Sequence, residues 1–217
     1  MPESEISPSL NEVASLAKRA VRGAGMSWGI AEEAASSVRW LTAHKLAGPA
    51  LLARLLKKQA PRDNTSMSPA TGSQGLTRKA HHTCPLLAAA EFSDTSAIWA
   101  HSKDACTEIP DLAYPLLMLP TIARVALRAG VWLQVSWDDM LISTDGQSVC
   151  IQGSLTMLTT EKTRQFRCVV ADTMKSVPQT TQRQSVDKES WDLLESFAQR
   201  SYAPATEESR RLGAGGD

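Results

Sequence analysis

Leu10, Val13, Leu16, Ala17, Ala20 and Val21 recur at the three-and-four spacing of a single helix face. Ser9 followed by Glu12 is a capping-box pattern, in which each side chain satisfies the other's free backbone N–H. Gly23 and Gly25 end that run. Ile30, Ala34, Val38 and Leu41 make a second stripe, reaching about His44. Gly48 suits the C-cap that follows, and Pro49 suits the first turn of a third helix whose buried face is Leu51, Leu52, Leu55 and Leu56. Helices this short are marginal alone in water, so they must pack on one another or on later segments.

Residues 59–80 break the pattern, with two prolines, two glycines and many hydroxyl side chains, and predict a mobile loop. The apolar run Cys84–Ala90 resumes the core, and periodicity alone does not separate a short strand from a helical turn. Pro110, Pro115 and Pro120 punctuate the next apolar stretch. A helix with Ile122, Val125, Ala126 and Ala129 inward is predicted from near Pro120 to Gly130. The period then falls to two: Val131, Leu133, Val135 and Trp137 alternate with Trp132, Gln134 and Ser136. Asp138-Asp139 reads as a turn, and Asp145-Gly146 as a hairpin between Met140–Ile142 and Val149–Ile151. Leu155–Thr159 and Gln165–Ala171 read as two further strands around a Glu161–Thr163 turn. A last helix from about Asp187 would bury Trp191, Leu194 and Phe197.

The predicted class is α+β: N-terminal short helices, a central antiparallel β-meander and a C-terminal helix. Fifty residues are few for an independent core, so the 217 residues are expected to form a single domain. Its parts would be a helical part over 9–58, the mobile loop over 59–80, an α+β part over 81–201 and a polar tail over 202–217.

Charge narrows the function classes. Lys and Arg number 23, as do Asp and Glu, so the formal net charge is zero. A protein that coats nucleic acid or an anionic membrane needs a basic surplus, so neither partner is expected. Residues 1–60 carry eight basic against five acidic side chains, a modest excess that a solvated helix face explains. The amino terminus lacks the basic-then-apolar order of a secretory signal, which predicts a cytoplasmic protein with four reduced thiols. Six tryptophans are an unusual number beside three phenylalanines. Trp132 lies on the strand face opposite Leu133 and Val135, so a helix layer or a second subunit is expected to cover it. A homodimer or a protein partner is one way to meet that need.

Two blocks stand out. One is Ser9–Glu12, Ala17–Ala20, Arg22–Gly25 and Ser27–Ala34; the other is Tyr202–Arg210 followed by Gly213–Gly215. Together they resemble a bacterial, largely proteobacterial, domain-of-unknown-function family numbered 3726. The Ser-Trp-Gly and Tyr-x-Pro-x-Thr-Glu-Glu-Ser segments are the most specific parts of that likeness. The resemblance implies a small cytoplasmic protein with no established activity and no catalytic residues to carry over.

Chemistry points most directly at the same blocks. Gly25, Ser27, Trp28 and Gly29 place small residues and free backbone N–H groups before a helix start, where donors and dipole favour an anion. Tyr202, Thr206, Ser209 and Arg210 could complete a site for a small carboxylate or phosphate. Without a ligand the same loop is a tight helix connection, with Trp28 as a core plug. His81, His82 and Cys84, then His101 after 16 residues and Cys106 after four more, are the one cluster of soft metal ligands. That spacing matches no standard zinc ribbon or finger. No cofactor fingerprint is recognisable and none is predicted. The reading that results is a non-catalytic small-ligand-binding, accessory or oligomeric protein. Its alternative is a small enzyme with its site between the Ser27–Gly29 turn and the Tyr202–Arg210 arm.

Overall fold

The computed structural model describes residues 5–59, 83–98, 102, 104–171 and 186–201. The loop predicted over 59–80, from residue 60 on, and the tail from Tyr202 lie outside the described residues.

The helical part follows the apolar periodicity. Helix α1 (Leu10–Gly23) opens with the reciprocal cap, Ser9 N–H to Glu12 Oε2 at 2.7 Å and Glu12 N–H to Ser9 Oγ at 3.2 Å. Helix α2 (Trp28–Ala43) is capped by Ser27, and α3 (Gly48–Gln59) buries all four predicted leucines. Gly48 does not cap α2. It opens α3, because the two helices touch there: a Cβ would lie 2.9 Å from the Val38 carbonyl oxygen and 3.0 Å from Leu41 Cβ. The left-handed residue after α2 is Lys45 instead, at φ 59°. Trp28 is no core plug either: it is 60 % exposed.

Cys84–Ala90 takes the helical option. Pro85, which has no N–H to leave unsatisfied, stands at the start of α4 (Pro85–Asp94). Helix α5 (Leu119–Ala129) ends, as predicted, on Gly130 at φ 66°.

A two-residue β1 (Glu5–Ile6) pairs antiparallel with β7 (Val186–Asp187), just ahead of α6 (Lys188–Gln199). The main sheet comprises β2 (Cys106–Ala113), β3 (Trp132–Trp137), β4 (Met140–Thr144), β5 (Val149–Gln152) and β6 (Lys162–Ala171), all antiparallel, in the order β2-β6-β3-β4-β5. The fold class is α+β, as the sequence predicts. Three details differ. Leu155–Thr159 is a 3-10 turn rather than a strand: Leu155 stays exposed, and Thr159 Oγ1 bonds the Thr156 carbonyl at 3.0 Å, a local alternative to a ladder. The meander stops at β5, and β6 returns to the other side of β3, where Phe166 stacks on Trp137 at 6.0 Å. Strand β2 is unpredicted because it contains Pro110; it is an edge strand of the sheet, where a missing N–H is tolerated.

One cluster of buried apolar side chains runs from α1, α2, α3 and α6 through Leu112–Leu119 to the inner face of the sheet. Trp191, predicted to be buried on α6 with Leu194 and Phe197, is only half-buried and donates its Nε1–H to Glu195 at 3.0 Å.

Candidate functional site

The segment joining β2 to α5 passes between the helical part and the sheet, and its backbone is forced there. Leu112 and Leu116–Leu119 are all buried, so the chain must turn without leaving the core. It does so through Tyr114, at φ 42° and ψ 63°. A left-handed conformation for a bulky residue costs about 1–3 kcal/mol. Pro115 follows and lacks an N–H, while the Tyr114 N–H donates to the Glu161 carbonyl at 3.0 Å.

This turn drives the Tyr114 side chain inward, leaving it 1 % exposed. Only Lys58 acts on its hydroxyl, as a donor too distant for a well-formed bond, so the O–H itself has no acceptor among the described residues. A buried group left this way costs about 1–3 kcal/mol, so most are paired.

What surrounds the phenol is charged. Helix α3 is amphipathic, so its leucines face the core while Arg54, Lys57 and Lys58 stand outside. Lys58 Nζ sits 5.6 Å from the centre of the Tyr114 ring and forms an ion pair with Glu161, at the mouth of β6. Arg54, one turn earlier on α3, lends its charge to both Tyr114 and Glu161. Burial pushes the Tyr114 hydroxyl above the ordinary tyrosine range, and the Lys58 charge offsets part of that rise. The hydrogen bond from Lys58 holds the Glu161 carboxyl below the usual carboxylate range and raises Lys58 itself. At neutral pH the corner therefore presents a protonated phenol, two cations and one carboxylate. Such a set donates hydrogen bonds and attracts negative charge.

The residues predicted from the sequence fare differently. Ser27 caps α2, its Oγ accepting from the Ile30 N–H at 3.4 Å. Gly25 makes the preceding turn at φ 90°. Trp28 lies under two cations, with Arg22 Cζ at 4.6 Å and Lys18 Nζ at 5.5 Å from its ring. Gly29 faces open space, since a Cβ there would meet nothing within 4 Å. Tyr202, Thr206, Ser209 and Arg210 lie outside the described residues, and so do His81, His82 and His101 of the metal cluster. Of that cluster's other members, Cys84 is half-buried before α4, and Cys106 is exposed on β2 with Arg167 Nε 3.4 Å from its sulfur. Among the described residues no group of three or more His, Cys, Asp or Glu side chains could hold a metal ion.

A separate cleft of about 210 Å³ lies between Thr42, Leu46, Pro49, Ala50 and Val186–Asp187. Its polar side chains are already engaged, Thr42 Oγ1 with the Val38 carbonyl and Asp187 Oδ1 with the Ser190 N–H, each at 2.8 Å. It offers a ligand little.

Sequence reasoning missed the Tyr114 corner. Lys58 and Glu161 are 103 residues apart, and no local pattern announces their meeting. Tyr114-Pro115 marks a break in the apolar stretch, but a residue before proline favours extended backbone, not the left-handed bend found here.

Fold and corner together define the class: an α+β protein with a cationic, phenol-backed corner where the helices meet the sheet. Residues 8–82 match the family described as a protein of unknown function, DUF3726. The match takes in the first of the two blocks noted in the sequence and does not extend to the second. No curated protein matches the chain, and no solved structure matches it. No helix among the described residues is long and apolar enough to cross a membrane.

Proposed function

We propose that the chain is a non-catalytic small-ligand-binding protein and that its ligand is an anion held at the Tyr114 corner. The observation that carries this reading is the Tyr114 hydroxyl, buried beside the Lys58–Glu161 pair with no acceptor for its O–H among the described residues. An acceptor oxygen from a ligand would satisfy that hydroxyl, and Arg54 and Lys58 would balance its charge. The titrating groups favour binding over acid–base chemistry, since burial keeps the phenol protonated and Glu161 already holds Lys58.

The test is Tyr114→Phe. Removing a buried hydroxyl whose O–H has no acceptor among the described residues is expected to stabilise the free protein to urea by about 1 kcal/mol. Added acetate or inorganic phosphate, at constant ionic strength, should stabilise the wild type and no longer stabilise the variant. A variant less stable than wild type and equally protected by both anions would overturn the reading.

A second reading puts the anion at the Ser27–Gly29 turn. It is favoured by the two cations over exposed Trp28 and by the open space at Gly29. Loss of anion protection in Arg22→Ala but not in Tyr114→Phe would select it.

A further inference from the structure

Glu161 is a carboxylate already seated on the cations that flank the buried phenol. Its ion pair with Lys58 lies on the protein surface, with side-chain exposures of 58 % and 50 %. Its own backbone carbonyl accepts from the Tyr114 N–H at 3.0 Å, so the seat is anchored to the turn that buries the ring. The carboxylate can nevertheless swing into water at small cost, because exposed ion pairs are weak.

We infer that Glu161 is a built-in competitor for the Tyr114 corner and that the ligand it excludes carries a carboxylate. This rests on the proposal that the corner binds an anion. In the free protein the Glu161 side chain bonds Lys58 while the Tyr114 O–H has no acceptor among the described residues. A ligand carboxylate has two oxygens and more freedom than a side chain tethered to β6. One oxygen takes the place of Glu161 on Lys58, and the other accepts from the Tyr114 O–H. Binding thus exchanges one exposed ion pair for an equivalent one and adds an acceptor for an O–H that has none among the described residues. The seat is shaped by a carboxylate, so a planar carboxylate fits it better than a tetrahedral phosphate.

The chain contains two tyrosines, so protein labelled with carbon-13 at tyrosine Cζ gives two resonances, assigned with Tyr202→Phe. The Tyr114 signal is followed against acetate and, separately, inorganic phosphate, with chloride holding the ionic strength constant. Glu161→Gln keeps the shape of the side chain and removes its charge. It should tighten acetate binding by about threefold to fivefold, the most that an exposed ion pair is worth. Acetate binding that is unchanged or weaker in Glu161→Gln would overturn the competitor role. Saturable binding of phosphate without acetate would overturn the carboxylate assignment and leave the anion site standing. A Tyr114 signal that neither probe moves would remove the anion site, and this inference with it.

Discussion

Helix α1 meets the backbone of α6 at Gly23, and Gly23→Ala turns that closeness into a measurable sign. A Cβ there would enter the van der Waals shell of the Phe197 carbonyl oxygen and lie 2.7 Å from its carbon. The obstacle is backbone, so no side chain can rotate away, and the last turn of α6 must retreat. The last two turns of α6 seat Leu194, Phe197 and Ala198, all buried. Burying a Leu or Phe side chain is worth about 1.5–3 kcal/mol, so losing half of two such burials costs about 2 kcal/mol. Residual overpacking adds about 1 kcal/mol or more. Against this, alanine in place of glycine in a helix gains at most about 1 kcal/mol. The expected net is a loss of about 2 kcal/mol, read as a lower urea midpoint at unchanged slope. Gly29→Ala is the internal control, because its Cβ meets nothing and only the helix gain should register. A Gly23→Ala protein as stable as wild type, or more so, would refute the packing argument.

Two further outcomes are open to the same assay. Trp28→Ala should shift stability by no more than about 1 kcal/mol, the worth of an exposed cation–π contact, whereas a tryptophan buried in a core would cost about 3–5 kcal/mol. Alkaline pH should destabilise the fold. Burial raises both the Cys168 thiol and the Tyr114 phenol, so the folded state keeps protons that the unfolded chain releases. The contribution of Cys168 is full below about pH 8 and is lost as pH rises past the ordinary thiol value, costing about 1 kcal/mol by about pH 9.5. Urea titrations at about pH 7.5 and pH 9.5 check this, and Cys168→Ala should flatten the difference.

Where a pattern is local, the chain shows it plainly. The Ser9–Glu12 cap, the leucine face of α3 and the alternation of β3 are each set within a dozen residues, and each forms as read. The errors sit where a distant segment decides. Gly48 looks like a helix end until α2 is laid across it. Pro110 argues against a strand until β6 supplies an edge where its missing N–H is harmless. The return of β6 to β3 depends on the Phe166–Trp137 pairing, which joins residues far apart in sequence. The candidate site follows the same rule. Arg54 and Lys58 read as a solvated helix face, and Glu161 as a turn residue. Only the left-handed bend at Tyr114 brings them around one phenol.

Anion binding at Tyr114 is tested most directly by the Tyr114 Cζ resonance of the wild-type protein during titration with acetate at constant ionic strength. Binding at the Tyr114 corner should give a saturable shift of that resonance while Tyr202 stays unmoved. Two unmoved signals, or two that drift together without saturating, would contradict it.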